Sequence, residues 1–223
     1  MRLFLVRHGQ TAWNLAGRAQ GQTDVPLDEV GLAQRDRLGS AFLGVRLSRI
    51  YSSDLLRASQ TAEALVKATG APIEFSRELR ERGFGEWEGQ SFIDLLDWSI
   101  AEADRLGVPR IAVRPPGGES YLDLWERTSP ILDRIVEAGE TCAIVSHGGT
   151  CSVLLAQLVR GTPETARAFR FGNTAIYELK RREDGYFRID RFNDTRHLDI
   201  EIDDSPGDAD SGDSMSLSAT SVR

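Results

Sequence analysis

The run Leu5-Val6-Arg7-His8-Gly9-Gln10-Thr11-Ala12-Trp13-Asn14 constrains this chain more than any other stretch. Met1 to Val6 is apolar apart from Arg2, the pattern of a short buried strand. The apolar run stops at an arginine and a histidine, and Gly9 then releases the backbone into a turn. Open α/β sheets bind ligands at the carboxyl ends of their strands. An Arg beside a His at such an end suits an anion, and phosphate is the natural candidate.

Five further stretches follow in order: Gly17 to Leu27, Tyr51 to Ala62, Glu78 to Gly89, Pro116-Gly117-Gly118-Glu119-Ser120 and Val145 to Thr150. With the first, they make the chain resemble the histidine phosphatase superfamily, from residue 1 to about 198. That group includes the cofactor-dependent phosphoglycerate mutases and many small-molecule phosphatases. The resemblance implies a phosphomonoester phosphatase working through a phosphohistidine on a small phosphorylated metabolite. It implies His8 as nucleophile and Glu81, in Leu79-x-Glu81-x-x-Phe84-Gly85-x-Trp87-Glu88-Gly89, as proton donor.

Phosphoryl chemistry explains why these residue types belong together. A phosphomonoester dianion repels nucleophiles, so its oxygens need positive charge, and the leaving oxygen needs an acid. Arg7 and Arg57 offer guanidinium forks, and His147, if protonated, would add a third positive group. His8 attacks only through an unprotonated nitrogen, so its other nitrogen should donate to a carbonyl near Gly9. Glu81 protonates the leaving alkoxide and afterwards activates the water that hydrolyses phosphohistidine. Without the resemblance, Glu78, Glu86 and Glu88 compete for the role of Glu81. Asn14 and Gln20 can bond phosphate or substrate oxygens, and Gly21 and Gly148 let backbone approach the ligand. His197, near the end of the resemblance, reads as structural.

Composition limits the alternatives. The net charge of −7 over 223 residues argues against a nucleic-acid binder, so any anion site must be local. No apolar run reaches 18 residues, and position 8 already carries a candidate catalytic residue, so the expectation is a soluble cytoplasmic protein with no membrane partner. Cys142 and Cys151 read as free thiols in a reducing compartment. Three histidines without close pairing, and no Gly-x-x-x-x-Gly-Lys loop, argue against metal or nucleotide-type chemistry. No metal or cofactor is expected. Oligomeric state is left open, because an exposed edge strand can pair or stay solvated.

Strand-like runs at Arg2–Val6, Arg49–Ser52 and Cys142–Ser146 alternate with helical patterns, which predicts an α/β fold with helix layers on both faces of a mostly parallel sheet. Helices are expected over Gly31 to Val45, over Leu55 to Thr69 with Asp54 as N-cap, and over Glu119 to Ala138 with a kink or break at Pro130. Gly148 and Gly149 should form a tight turn into a helix ending near Val159. Ala175–Lys180 and Tyr186–Phe192 should form a hairpin at an antiparallel edge. The catalytic domain is expected over 1–202, with a helical insertion at about 91–118 over the pocket, followed by an acidic disordered tail from Asp203. In that insertion, Arg110 or Arg114 is expected to contact a second anionic group. The separation of these two arginines, and the Phe84-Gly85-Glu86-Trp87-Glu88-Gly89 run, favour a phosphatase over the mutase alternative. A non-catalytic phosphate-binding module is the third reading, disfavoured because His8 and Glu81 are both present.

Overall fold

β1 (Arg2–Arg7) runs through the middle of a six-stranded sheet and is buried on both faces. In the computed structural model, which describes residues 1–199, Leu3 and Leu5 pack on one side of it and Phe4 and Val6 on the other. Such a strand shows an apolar run without alternation, as parallel strands covered by helices do.

β2 (Arg49–Ser53), β3 (Ile73–Ser76) and β4 (Cys142–Ser146) complete the parallel part, and β5 (Ile176–Arg181) and β6 (Phe187–Asp194) form the antiparallel edge. The order is β3-β2-β4-β1-β5-β6. β1 lies beside β4 with Arg7 opposite Ser146. β2 flanks β4 on its other side. The carboxyl ends of β2, β4 and β1 are therefore neighbours, although their sequences are far apart.

α1 (Ala12–Leu15) is a single turn after β1, and α2 (Glu29–Ala41) and α3 (Leu56–Thr69) cover one face of the sheet. Leu38, Ala58, Ala62 and Leu65 meet Phe4, Val6 and Val145 there. α4 (Phe92–Leu106) lies apart from the sheet; α5 (Tyr121–Ala138) and α6 (Gly148–Leu158) cover the second face. There Ile131, Leu132, Ile135, Leu154 and Leu155 meet Leu3, Leu5 and Ile144. The result is the expected three-layer α/β/α sandwich. Among the described residues, no helix is long and apolar enough to cross a membrane.

Three local expectations are corrected. Of the two outcomes expected at Pro130, the break does not occur: α5 runs unbroken to Ala138. An interior proline costs about 3 kcal/mol, whereas each fully buried Leu or Ile on that face contributes about 1.5–3 kcal/mol, so Leu124, Ile131, Leu132 and Ile135 outweigh it. Asp54 does not cap α3, whose N-cap is Leu55 without a side-chain bond. Asp54 is instead held by Arg80 through two bonds of 2.6 Å each, and Arg80 holds it below the usual carboxylate range. Gly148 and Gly149 are not a turn; they are the first residues of α6, with His147 as its N-cap. The acidic tail lies outside the described residues.

Candidate active site

His8 directly follows β1, and its backbone N–H donates to Ser146 O at 2.9 Å, fastening the end of β1 to the end of β4. Its ring Nδ1 lies 2.6 Å from Gly9 O. A carbonyl only accepts, so Nδ1 carries the hydrogen and Nε2 holds the lone pair. His8 is 3% exposed and lines the main cavity. Burial first, then the charges of Arg57 and Arg7, push its pKa well below the ordinary histidine value, against the opposing bond to Gly9. The ring is therefore neutral. Its backbone carbonyl is gripped by Asn173 Nδ2 at 3.1 Å and Thr174 N–H at 3.3 Å. Thr174 sits at φ 54°, a left-handed conformation that a β-branched residue adopts only under constraint.

Arg7 donates Nη1 to Phe171 O at 2.6 Å, while its Nε is buried without a partner among the described residues. An orphaned buried donor costs about 1–3 kcal/mol, a cost an anion in the cavity would relieve. Arg57, in the first turn of α3, reaches the same place. It donates Nη2 to Gly21 O at 2.7 Å, Nη1 to Thr23 O at 2.9 Å and Nε to His147 Nδ1 at 3.1 Å. Burial lowers its pKa to about 10, so it stays charged at neutral pH.

That last bond decides the state of His147. A guanidinium only donates, so Nδ1 accepts and the ring hydrogen is on Nε2, which donates to Ser53 Oγ at 2.8 Å. His147 is fully buried, and burial followed by Arg57 pushes its pKa well below the ordinary value. The third positive group expected from the sequence is therefore not formed. His147 stands behind Arg57, outside the cavity lining, with its ring centroid 5.2 Å from that of His8.

Glu81 faces these groups from the loop after β3. Its carboxylate accepts from Gly149 N–H at 3.0 Å and Thr150 N–H at 3.1 Å, the amino end of α6, and from Arg82 N–H at 2.9 Å. A helix amino end favours an anion through its unbonded N–H groups and its dipole. A Cβ at 149 would stand 2.6 Å from Glu81 Oε1, so a side chain there would displace the carboxylate from the amino end of α6. The competitors lie elsewhere: Glu88 is occupied by Gln22 N–H, Phe84 N–H and Thr23 Oγ1. Neither Glu78 nor Glu86 lines the cavity.

Asn14, Gln20, Gly21 and Gly148 all line the cavity. Asn14 Oδ1 serves the capping box of α1 with Thr11, and Gln20 Oε1 accepts from Thr11 Oγ1, so each presents its amide nitrogen as the remaining donor. Gly21, at φ 53°, leaves no room for a Cβ, which would meet Glu88 Oε1 at 2.1 Å. His197 donates to or accepts from Thr174 Oγ1 at 3.0 Å, on the far side of the loop that holds His8.

The cavity has a volume of about 630 Å³. Seven arginines line it (Arg7, Arg18, Arg57, Arg82, Arg110, Arg167 and Arg170) against one carboxylate, Glu81. A chain of net charge −7 thus concentrates positive charge in one place, which draws in anions. Arg82, Arg167, Arg170, Asn173 and Ser53 were not singled out in the sequence. Arg114 does not line the cavity; it pairs with Asp123 on the surface.

Comparison with known proteins agrees with this geometry. The description "Histidine phosphatase superfamily (branch 1)" matches residues 3–195, and the chain belongs to that family. A probable phosphoglycerate mutase GpmB of Yersinia pestis is 32% identical over 206 residues, covering 90% of this chain and 96% of the relative. Among solved structures, a mycobacterial glucosyl-3-phosphoglycerate phosphatase with VO3 aligns at TM-score 0.74 and 29% identity, covering 86% of this chain and 98% of the other. A putative α-ribazole-5′-P phosphatase from Escherichia coli aligns at TM-score 0.77 and 27% identity, covering 87% and 97%. The family and its solved neighbours support a phosphoric monoester hydrolase.

Proposed function

We propose that the chain is a metal-independent phosphomonoester phosphatase that works through phospho-His8 on a small phosphorylated metabolite. One observation carries the reading: a neutral His8 whose Nδ1 is tied to Gly9 O, leaving Nε2 as a nucleophile in a cavity with Arg7, Arg57 and Glu81.

The phosphate occupies the inner end, against Arg7 Nε, the remaining donors of Arg57, the first turn of α6 and the amides of Asn14 and Gln20. His8 Nε2 forms a bond to phosphorus, and the bond from phosphorus to the ester oxygen breaks. Glu81, in its acid form, gives its hydrogen to that oxygen and is left as the carboxylate. Glu81 then takes a proton from water as the water attacks phosphorus and displaces His8. Phosphate is released, and both residues are restored. His147 acts through Arg57 as a positioning residue, holding Nε while Ser53 fixes its tautomer.

The mutase reading shares every one of these groups and differs in whether water reaches phospho-His8. Its support is the Yersinia pestis relative's name. The test is inorganic phosphate release from a panel of phosphomonoesters with chelator present, alongside interconversion of 2- and 3-phosphoglycerate. Release that needs His8 but no metal supports the phosphatase. Interconversion outrunning release overturns it in favour of the mutase.

A further inference from the structure

Between the turn at Arg77–Leu79 and the next at Gly85–Trp87, the chain that carries Glu81 forms neither helix nor strand. Its backbone carbonyls therefore need partners from elsewhere in the fold. One side chain supplies most of them. Arg127, on α5, donates Nη1 to Glu78 O at 2.7 Å and to Arg80 O at 3.1 Å, and Nη2 to Glu81 O at 3.1 Å. Among the described residues the next most engaged arginine is Arg57, which meets two carbonyls.

Arg80 O and Glu81 O belong to the two peptide planes that meet at the Cα of Glu81. Each plane is rigid, so holding both carbonyls fixes φ and ψ of Glu81, and with them the direction in which its side chain leaves the backbone. The rest of the guanidinium goes to one carboxylate. Nε donates to Glu119 Oε1 at 2.8 Å and Nη2 to Glu119 Oε2 at 2.9 Å. Glu119, from Pro116-Gly117-Gly118-Glu119-Ser120, grips the far end of the same loop: Oε2 accepts from Gly83 N–H at 2.8 Å, and its backbone N–H donates to Gly83 O at 2.8 Å. Burial opposes its charge, but the bonds from Arg127 and Gly83 keep its pKa below the usual carboxylate value. Every nitrogen of Arg127 is thus engaged, in a planar fork that a lysine ammonium does not reproduce. Neither residue lines the cavity.

We propose that Glu119 and Arg127 form a positioning pair for the proton donor, orienting the backbone on both sides of Glu81 so that its carboxyl meets the leaving oxygen; this rests on reading Glu81 as the acid. The amino end of α6 holds the carboxylate. The side chain is therefore fixed at its tip by α6 and at its root by α5. Proton transfer needs the donor within hydrogen-bond reach of the oxygen, and a misplacement of about 1 Å can cost about a hundredfold in rate. Phosphate binding, which falls to Arg7 and Arg57, does not depend on the pair.

The test uses p-nitrophenyl, phenyl and propyl phosphate, whose leaving oxygens rise in basicity and so in their need for an acid, with the full native chain, Arg127→Lys and Glu119→Gln. Single-turnover cleavage of p-nitrophenyl phosphate should stay within about threefold of native in both variants. The loss should grow along the series, to about ten- to a hundredfold for propyl phosphate. Affinity for inorganic phosphate, by calorimetry, should stay native, which a general loosening of the fold would not allow. In a Glu81→Gln background the same substitutions should add no further leaving-group dependence, because the group they position is gone. If one variant does not fold, the other decides. A loss equal on all three esters, a loss repeated in full in the Glu81→Gln background, or a matching fall in phosphate affinity overturns the proposal. The two readings fail separately. If Glu81→Gln slows all three esters equally, the acid reading falls and the pair with it; if its effect follows the leaving group and that of the pair does not, only the pair falls.

Discussion

The inner and outer ends of the cavity are built on opposite plans. At the inner end, His8, Arg57 and His147 follow the carboxyl ends of three adjacent strands, are buried, and are tied by short bonds to backbone or to one another. At the outer end, Arg18, Arg167 and Arg170 are exposed, and Arg110 sits on a short turn after α4, which stands apart from the sheet. The difference separates two tasks. Chemistry at phosphorus needs donors fixed to within a fraction of an ångström, whereas choosing among esters needs only charge and shape at the rim.

If that division is correct, changes at the inner end should remove turnover for every ester. The largest effect belongs to His8→Ala, which leaves the cations but no nucleophile. Phosphate release should fall by roughly four orders of magnitude or more on all esters, while the chain still binds inorganic phosphate. Steady-state kinetics with parallel calorimetry checks both halves. A residual rate within tenfold of native would move the nucleophile elsewhere.

Glu81→Gln comes next, and its effect should depend on the leaving group. An alkyl phosphate expels a basic oxygen that needs a proton, so kcat should drop by about 10²–10⁴. With p-nitrophenyl phosphate, whose leaving oxygen needs no acid, the first step should be nearly spared, and a burst of p-nitrophenol should precede slow turnover. An equal loss on both esters would mean that Glu81 serves only as the anion at the start of α6.

The chemistry-bearing motifs could be read from the sequence because each is contiguous: strand, arginine, histidine, glycine on β1, and strand, serine, histidine, glycine on β4. What could not be read is whatever depends on two distant segments. His147 reads as a cation by residue type, and only burial plus contact with Arg57 shows it neutral. Asp54 reads as a cap, an interaction of about 1 kcal/mol, because its bidentate partner Arg80 lies on another loop. Gly148 and Gly149 read as a turn because the carboxylate that replaces a cap, Glu81, comes from a different segment. Arg82, between Glu81 and Gly83, carries no signal of its own in the sequence, and only the fold shows Phe84 and Tyr121 closing over it.

The neutral histidines of the inner end also leave a signature in stability. An unfolded histidine takes up a proton near pH 6.5, whereas His8 and His147 in the fold do so only well below that. The unfolded state therefore binds more protons as pH falls below about 6.5. The stability these two groups contribute is complete above that pH and is lost on acidification toward their folded values, with a slope of up to about 1.4 kcal/mol per pH unit for each. Denaturant midpoints between pH 7.5 and 5.5 should show the decline, and His147→Gln should flatten it. The outer arginines do not titrate in this window, so Arg110→Gln should leave the slope as it is. A pH-independent midpoint would mean that the inner histidines take up protons in the fold as readily as in the unfolded chain.

The smallest effect is expected at Arg114, and it sharpens the boundary of the outer end. Its guanidinium is mostly exposed and pairs with Asp123, which independently caps α5 by accepting from Ser120 N–H at 2.7 Å. Removing an exposed partner of this kind costs about 0.2–1 kcal/mol. The cap survives without it, so Arg114→Gln should lower Tm by no more than about 4 °C. Phosphate release should remain within about twofold of native, in contrast to His8→Ala, measured side by side on the same esters. A large loss at Arg114 would require the connection between α4 and α5 to swing Arg114 off Asp123 and into the cavity when ligand binds. The outer end would then be a closing element rather than a fixed wall, and selectivity would be set by a motion that the ligand drives.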